Sequence, residues 1–394
     1  MNVFVSNAHS RAALQIVRSL GQKGIKVFSG DTVRITPTLF SRYLWQYVVY
    51  PDPATEPVRF VRFINDYCKK NNIKMIIPVV DDVLLALSER RDILDEDIIV
   101  PIADHESLLK ARDKYESIKL CNEVGVPCPH TVTGELSEIM AQKDDFRLPV
   151  LIKPRKSSGS RGIRIIYQWN GFEDIWRETT ERYGPCMIQE FIPHGGACGV
   201  EVLYNHGKLV TAFTHRRLRE YPESGGPSTL RVSTIDRQLE SYALKLMDSL
   251  SWHGVAMVEF RRHAKTGVPY FMEINPRYWG SLRLAIASGL DIPYYHYLLA
   301  LGKKPRIPES YLVGVEARWL LLGDIMWFIT SADADKFRKF FRFRDKNLYY
   351  DILSRKDPLP AVGAILEGIN ILRDPNRRRN ANARGWNRDI DYRQ

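Results

Sequence analysis

The sequence predicts three regions: an α/β region over residues 1–106, an α+β region over residues 107–304, and a mainly helical C-terminal extension over residues 305–394. The first prediction rests on short apolar runs that alternate with helical patterns, as in a parallel sheet. The second rests on closely spaced strand patterns joined by a hairpin turn. The third rests on apolar stretches that prolines interrupt. A chain of 394 residues also exceeds what one hydrophobic core usually supports.

The predicted parallel sheet takes its strands from residues 3–5, 25–28, 47–50 and 75–79. The helix between the first two strands has an apolar face of Ala13, Leu14, Ile16, Val17 and Leu20. A second helix covers residues 57–71. Residues 6–10 lack the GxGxxG pattern of a dinucleotide site, so they are interpreted as a plain strand-to-helix turn.

The predicted α+β region begins with helices, and its strands follow from residue 150 onward. Asn205-His206-Gly207 is typical of a hairpin turn and indicates antiparallel pairing of its two flanking strands. The predicted strands are residues 150–153, 162–166, 187–190, 199–204, 209–213, 254–260 and 270–274.

Composition and charge restrict the classes of function. No apolar run approaches the roughly 20 residues of a membrane span, and no signal peptide is expected at the N-terminus. Five cysteines without a CxxC pair favour a reducing cytoplasm. The net charge of +11 is concentrated in Lys336, Arg338, Lys339, Arg342 and Arg344 and in a basic tail with Arg373, Arg377, Arg378, Arg379 and Arg384.

The basic segments are interpreted as a solvated surface, and two kinds of partner are considered beside it: nucleic acid and a membrane surface. Nucleic acid is not expected as a partner, because no recognition module accompanies the charge. Basic and aromatic residues alternate over residues 337–343, so peripheral attachment to a membrane surface is an alternative to a purely cytoplasmic location.

A candidate metal site lies at two acidic strands. Glu259 and Glu273 each follow an apolar run, and strand alternation places Asn275 on the same side as Glu273. Mg²⁺ prefers a few hard oxygen ligands together with phosphates and water. With Arg277 just beyond, this set is typical of metal-nucleotide binding.

A candidate phosphate site follows the strand that ends in Lys153. The next residues, 155–162, form a loop of small and basic residues that includes Ser158, Gly159 and Arg161. Small residues let backbone N–H groups approach a phosphate, and basic side chains oppose its charge. The alternative is a flexible hairpin connection.

A candidate adenine site is the segment Gln189-Glu190-Phe191-Ile192, at the end of an apolar strand. Backbone groups between two domains can hydrogen-bond an adenine edge while apolar side chains enclose the ring. Taken alone, the segment is a strand with a polar end.

Residues 215–233 are interpreted as a less regular, polar loop and a candidate substrate lid. Its arginines, among them Arg217 and Arg231, could bind a carboxylate or phosphate, and Ser228 lies beside them. Tyr278 is a candidate for the acceptor pocket, with core packing as an equal alternative.

The order of these motifs resembles the ATP-grasp superfamily over about residues 107–302, and residues 1–106 resemble the domain that precedes it. The resemblance implies that Lys114 and Lys153 contact ATP phosphates and that Glu190 and Ile192 contact adenine through their backbones. It further implies that Glu201 approaches the ribose and that Arg277 steadies the transferred phosphate. The implied Mg²⁺ ligands are Glu259, Glu273 and Asn275.

The resemblance implies an ATP-dependent ligase that activates a carboxylate as an acyl phosphate and couples it to an amine. Its expected cofactors are ATP and Mg²⁺, with Mn²⁺ as an alternative metal. The expected partners are a small carboxylate and an amine, with a glycan or lipid-linked intermediate and a homodimer left open. The alternative functions are a kinase-like phosphotransferase and a non-catalytic nucleotide sensor.

Overall fold

The first sheet is parallel and formed by the N-terminal residues. The computed structural model describes residues 1–157, 159–223 and 225–373. Strand order is β3-β2-β1-β4, and every neighbouring pair is parallel. The strands and helices are β1 (Asn2–Val5), α1 (Arg11–Gly21), β2 (Val27–Asp31), β3 (Leu44–Val49), α2 (Pro57–Lys70), β4 (Ile73–Ile77) and α3 (Asp81–Glu89).

Alternation along β1 explains how both faces of this sheet are covered. Val3 and Val5 pack with the apolar face of α1, whereas Phe4 points to the opposite side and packs with residues of α2 and α3. The predicted parallel sheet is confirmed, with strand bounds that differ by at most three residues.

The second sheet is small and antiparallel, in the order β5-β8-β6-β7. Two helices precede it and one covers the link from β7 to β8. The elements are α4 (His105–Arg112), α5 (Lys114–Val124), β5 (Thr131–Val132), α6 (Leu136–Ala141), β6 (Val150–Pro154), β7 (Arg164–Ile166), α7 (Phe172–Tyr183) and β8 (Cys186–Glu190).

The third sheet has seven strands in the order β13-β12-β9-β10-β11-β14-β15. Its strands are β9 (His194–Asn205), β10 (Lys208–Glu220), β11 (Ser228–Thr234), β12 (Gly254–His263), β13 (Pro269–Asn275), β14 (Glu316–Arg318) and β15 (Leu348–Tyr350). Its helices are α8 (Arg237–Ser249), α9 (Leu282–Ala287), α10 (Ile292–Ala300), α11 (Ile325–Thr330), α12 (Lys336–Phe340) and α13 (Pro360–Arg373).

One face of the seven-stranded sheet packs on α4, α5 and α8. The other face shares a core with β1, α1, α9 and α10, through Leu203, Phe213 and Met257. The first sheet therefore lies against the face of the large sheet that carries the odd-numbered residues of β12.

Residues 215–233 are not the irregular loop that the sequence predicts. They belong to β10 and β11, which pair antiparallel from Thr214↔Thr234 to Glu220↔Ser228, and only the turn between these strands lacks regular structure. The Gly- and Pro-rich composition marks that turn and not the whole segment.

The C-terminal region adds strands as well as helices. β14 pairs with β11, and β15 pairs with β14, so this region completes the large sheet in addition to forming α11, α12 and α13. In the described part of the chain, none of the helices has both the length and the apolar character needed to cross a bilayer. Ser158, Ser224 and the tail arginines Arg377, Arg378, Arg379 and Arg384 lie outside the described residues.

Candidate functional site

Two glutamates face each other on neighbouring strands of the large sheet. Glu259 of β12 pairs directly with Glu273 of β13, and Asn275 follows two residues later on the same face. Glu259 and Asn275 are buried, and Glu273 is partly buried. The predicted set of three oxygen ligands is therefore brought together by strand register.

Two lysines reach this acidic pair from other elements. Lys114, the first residue of α5, has its Nζ 3.4 Å from Oε2 of Glu273, and it also donates to the carbonyl oxygen of Ser157. Lys153 extends from β6 of the small sheet and is buried. Burial and the neighbouring Lys114 lower the pKa of Lys153 to about 8, against the opposing effect of Glu273 and Glu259.

The two carboxylates differ in their electrostatic environment. Burial would raise the pKa of Glu273, but Lys114, Lys153 and Arg277 more than offset it, so the pKa is lowered. Burial also raises the pKa of Glu259, and for this residue it outweighs the opposing effect of Arg217. Glu273 is thus the more firmly ionised member of the pair.

Arg217 directly contacts Glu259, a carboxylate of the candidate metal site. Its Nη2 donates to Oε1 of Glu259, and its Nη1 lies 3.5 Å from Oε1 of Glu220 and from the carbonyl oxygen of Gly226. Arg217 is therefore placed between the candidate metal site and the turn that joins β10 to β11. The Arg217 guanidinium therefore lies at Glu259 Oε1, where a metal ion would be attracted by the same carboxylate charge.

Arg277 joins the site to the first sheet. Its Nε lies 3.0 Å from Oδ1 of Asp81, its Nη2 donates to Oδ1 of Asn275 at 3.0 Å, and its Nη1 donates to the carbonyl oxygen of Tyr278 at 3.0 Å. Asn275 in turn donates to Glu273 at 3.3 Å. Arg277 would have to exchange Asp81 for a phosphate to take the role that the resemblance implies.

Residues 155–162, which we call the glycine-rich loop, are held in place at their beginning and near their middle. Arg155 makes a two-pronged contact with Asp113, the N-cap of α5. Ser160 donates to the carbonyl oxygen of Gly225 at 2.6 Å, which ties the loop to the β10–β11 turn. Gly159, Ser160 and Gly162 all have positive φ angles, so the backbone turns sharply here.

Of the other two predicted residues of this loop, the structure describes Arg161 but not Ser158. Arg161 is partly buried, and its Nε has no hydrogen-bond partner among the described residues. Ser158 is outside the described residues, so its predicted contact with phosphate stays a prediction.

The predicted adenine segment connects two sheets. Gln189 and Glu190 end β8, and residues 191–193 link it to β9. The Gln189 side chain donates to Thr131 at 2.9 Å, and the Glu190 N–H donates to the carbonyl oxygen of His130 at 2.9 Å. Ile192 is buried and Phe191 is partly buried. The position between sheets agrees with the predicted role, which stays a prediction.

Glu201 is not placed where a ribose could reach it. It lies in the interior of β9 with no exposed surface, and Ser281 donates to its Oε1 at 2.7 Å. Burial raises the pKa of Glu201 to about 8 despite Ser281 and Arg231. The predicted ribose contact is therefore not supported, because a nucleotide would have to open the core to reach this side chain.

His215 lies beside Glu201, with Nδ1 3.3 Å from Oε1 of the glutamate. Burial, Arg217 and Arg231 lower the pKa of His215 to about 3, so the ring is neutral. Glu201 and His215 form a buried polar pair beneath the site and not a surface for nucleotide.

Three predicted substrate residues have structural contacts instead. Arg231 is fully buried and forms an ion pair with Asp351. Ser228 is buried and donates to the carbonyl oxygen of Leu230 at 3.1 Å. Tyr278 belongs to the main core, with its hydroxyl 3.0 Å from Nδ1 of His296. This position agrees with the alternative of core packing, and a place in an acceptor pocket stays a prediction.

Asp81, the partner of Arg277 at the candidate site, is not among the residues that the sequence predicts there. It opens α3 after a three-residue link from β4, at the carboxyl edge of the parallel sheet, where ligands commonly bind in such sheets. The acidic pair Asp81-Asp82 after an apolar strand was the signal that could have identified it.

The arrangement fits magnesium and a polyphosphate chemically. Glu259, Glu273 and Asn275 offer hard oxygens, and two of them already bind the guanidinium cations of Arg217 and Arg277. Among the described residues no group of three or more His, Cys, Asp or Glu side chains could hold a metal alone. Mg²⁺ commonly takes only one or two carboxylates and completes its shell with phosphate and water.

Comparison with known proteins gives relatives for most of the chain. A family model described as "ATP-grasp in the biosynthetic pathway with Ter operon" matches residues 182–320. The N-terminal section of the carbamoyl phosphate synthase large chain of Methanopyrus kandleri is 22% identical over 320 residues. That match covers 76% of this chain and 55% of the relative.

Pyruvate carboxylase of Pichia angusta is 25% identical over 228 residues, which cover 53% of this chain and 19% of the relative. The chain thus spans between a fifth and about half of the length of these curated relatives.

Two solved structures share the fold. Biotin carboxylase of Campylobacter jejuni superposes with a TM-score of 0.65 at 17% identity, covering 80% of this chain and 74% of that one. The L-amino acid ligase of Bacillus licheniformis superposes with a TM-score of 0.60 at 15% identity, covering 76% and 74%. At these identities the likeness shows a common fold and leaves the reaction open.

Proposed function

Because this chain belongs to the ATP-grasp superfamily, we propose that it is a Mg²⁺- and ATP-dependent ligase that joins a substrate carboxylate to an amine. The observation that carries the proposal is the meeting of Lys114, Lys153, Glu259, Glu273 and Asn275 at one face of the large sheet. These residues come from four elements, α5, β6, β12 and β13, and their types are those that metal-bound triphosphate requires.

The chain's own residues would bind and orient the nucleotide. Lys114 and Lys153 would contact phosphate oxygens, together with the backbone of the glycine-rich loop. Glu259, Glu273 and Asn275 would hold Mg²⁺, which supplies neutralisation of the phosphate charge when bound. The segment 189–192 would contact adenine, and Arg277 would steady the transferred phosphoryl group.

The proposed reaction has two displacement steps. A carboxylate oxygen of the substrate attacks the γ-phosphorus, the bond to the leaving ADP oxygen breaks, and an acyl phosphate forms. The amine nitrogen then attacks the acyl carbon, phosphate leaves with the electron pair of the C–O bond, and the amine loses a proton. Positioning and charge neutralisation suffice for both steps, so no Ser or Cys nucleophile is needed.

One structural neighbour supports the carbon–nitrogen ligase over the phosphotransferase, because it is the L-amino acid ligase of Bacillus licheniformis. A biotin carboxylase domain from Hydrogenobacter thermophilus is described as a dimer with MgADP, which supports Mg-nucleotide binding and a homodimer as proposals for this chain. The division at residues 106 and 304 and the cytoplasmic location stay predictions.

The test measures Mg²⁺-dependent release of ADP from ATP against a matrix of carboxylates and amines. We expect release that requires one carboxylate and one amine together, with an amide as product. Glu273→Ala should abolish it, whereas Glu309→Ala, which changes an exposed glutamate outside the site, should not. Release with the carboxylate alone, giving a stable phosphorylated product, would favour the phosphotransferase. Tight nucleotide binding without release across the matrix would favour the sensor.

A further inference from the structure

The last described helix, α13, carries an exposed apolar stripe. Its members recur at helical spacing: Val362, Ile365, Leu366, Ile369 and Leu372. Ile365 is 52% exposed and Leu372 is 67% exposed. We call these five residues the C-terminal stripe. A helix on the surface of a globular protein normally directs such a row toward the core.

The stripe is not the side of α13 that packs on the molecule. Gly363, Ala364, Glu367 and Gly368 form the buried side. Gly363 lies against Pro37 and Phe40, so close that a methyl group there would lie 2.5 Å from a ring carbon of Phe40. The helix is thus anchored through small residues, and its large aliphatic residues face outward.

The exposed apolar surface continues beyond α13. Leu322, itself 42% exposed, packs over Gly368 of α13. The turn that contains Leu322 leads directly into α11, where Ile329 is 63% exposed. The C-terminal stripe therefore has an apolar connection to α11.

An aromatic cluster follows at α12. The ring of Phe328 in α11 lies 5.1 Å from that of Phe337 and 5.9 Å from that of Phe341. Phe337 and Phe341 are 61% and 59% exposed, one turn apart. A globular protein rarely exposes so many large apolar side chains in one region unless they contact a partner.

The segment that carries Phe337, Phe341 and the C-terminal stripe is predominantly basic. Residues 333–373 contain nine lysines and arginines and six acidic residues. Three of the acids, Asp351, Asp357 and Glu367, are buried. Arg344 and Arg373 make no ion pair among the described residues, and Arg377, Arg378 and Arg379 follow α13 in the sequence.

We propose that this surface, the C-terminal stripe together with Phe337 and Phe341, docks on an anionic lipid bilayer. Aliphatic and aromatic side chains would enter the interfacial region, while the surrounding basic side chains would contact lipid phosphates. At 14 residues, α13 is too short to span a bilayer and fits an in-plane orientation. This proposal does not depend on the reaction that the nucleotide site performs.

The test is sedimentation of the full chain with vesicles. We expect binding to vesicles of phosphatidylcholine mixed with phosphatidylglycerol, weakened by added salt and much weaker with phosphatidylcholine alone. The double variant Ile365→Ser and Ile369→Ser should lower the partition coefficient at least about tenfold, because two aliphatic side chains no longer enter the interface.

Ile235→Ser is the matched control. Ile235 is also 52% exposed but lies between β11 and α8, so this variant should bind vesicles like the unchanged protein. Unchanged binding of the double variant, or no binding to either kind of vesicle, would overturn the proposal. Dimerisation that the double variant abolishes, without vesicle binding, would show instead that a second copy of the chain covers the stripe.

Discussion

At the scale of single residues, the site is controlled by charged side chains that are buried next to one another. Lys153 and Arg217 illustrate two opposite outcomes. Lys153 makes no ion pair within 4 Å among the described residues, and burial makes its charge easier to lose. Arg217 is paired with Glu259, and the pKa of that arginine is raised, since its acidic neighbours outweigh the effect of burial. Each predicts a measurable effect.

Nucleotide affinity should depend on the protonation of Lys153. With a pKa of about 8 in the free protein, Lys153 is charged below pH 8 and loses its proton above it. Phosphate stabilises the charged form, so the affinity for Mg-ADP should be constant below pH 8. Above that value it should fall by up to about tenfold per pH unit. Calorimetric titration between pH 7 and 9.5 measures this.

Lys153→Arg serves as the control for that prediction. A guanidinium keeps its charge throughout this range, so the fall in affinity above pH 8 should disappear. An identical pH profile for both proteins would assign the titration to another group.

Arg217→Met should destabilise the nucleotide-free protein by about 3 kcal/mol, because it leaves Glu259 buried without its cation. Mg-ADP should restore part of this loss, because the metal would replace the guanidinium at Glu259. Urea unfolding with and without Mg-ADP measures both effects. Arg216→Met is the matched control, because Arg216 is exposed on the same strand. If Arg217→Met were destabilised equally with and without Mg-ADP, the metal and the Arg217 guanidinium would not occupy the same position at Glu259.

At the scale of elements, the β10–β11 hairpin is the segment for which the predicted irregular loop was wrong. Charged residues at Arg217, Arg219 and Arg231 made the segment resemble a polar loop, although all three lie on strands. Their guanidinium groups point inward because each forms an ion pair with a buried carboxylate. The partners, in the same order, are Glu259, Asp324 and Asp351. Hydrophobic alternation cannot reveal a strand whose inward positions are filled by ion pairs.

Alanine substitutions at two glycines of α13 are expected to change the free energy of unfolding in opposite directions. Alanine favours a helix over glycine by up to about 1 kcal/mol. At Gly363 the new methyl group would lie 3.0 Å from the Pro37 Cα and from the Thr36 oxygen, which are backbone atoms that cannot yield. Gly363→Ala should therefore destabilise the protein by at least about 1 kcal/mol.

Gly368→Ala provides the comparison on the same helix. Its nearest neighbour is the Leu322 side chain at 3.1 Å, which is partly exposed and can move. We expect no loss, or a gain of up to about 1 kcal/mol. Thermal unfolding of both variants measures the difference, and a loss at Gly368 as large as that at Gly363 would refute the close backbone contact as the cause.

At the scale of the whole molecule, Asp351 joins distant parts of the chain. It accepts from Arg11 of α1 and from Arg231 of β11, and its backbone carbonyl accepts from Gln15 and Arg18. The nearby Asp357 pairs with Arg18 at 2.9 Å. The C-terminal region thereby locks the first sheet onto the large sheet that carries the site.

Asp351→Asn should lower the free energy of unfolding by about 3 kcal/mol or more, because Arg231 would be buried with a weaker partner. Burial would raise the pKa of Asp351, but Arg231 and Arg11 keep it below its usual value. Stability from this group is thus present above the unfolded pKa of about 3.9 and is lost as pH falls through the lower folded pKa.

Urea unfolding at neutral and acidic pH tests this prediction. The difference between the unchanged protein and Asp351→Asn should narrow as the pH falls below about 4. Asp345→Asn, at an exposed pair with Arg342, should change stability by no more than about 1 kcal/mol. A deficit for Asp351→Asn that stays constant down to low pH would mean that its charge is not the stabilising feature.

The sequence by itself determined the order of the elements and most of the set of residues proposed to bind nucleotide. Apolar periodicity is a local property, so the parallel sheet, α1 and the strands that carry Glu259 and Glu273 could be predicted from it. The order of Lys114, Lys153, residues 189–192 and the acidic strands sufficed to indicate the superfamily, because each motif keeps its place in the chain.

Only the tertiary structure decided which polar residues face the site and which are buried in the core. Arg217 meets Glu259 across 42 positions, Arg231 meets Asp351 across 120, and Arg277 meets Asp81 across 196. Such pairs depend on how three sheets pack, and a buried charge is stable only where that packing supplies its partner. For the same reason Glu201, for which the family resemblance implied a ribose contact, lies in the core. Tyr278, for which the sequence left an acceptor pocket and core packing as equal alternatives, also lies there.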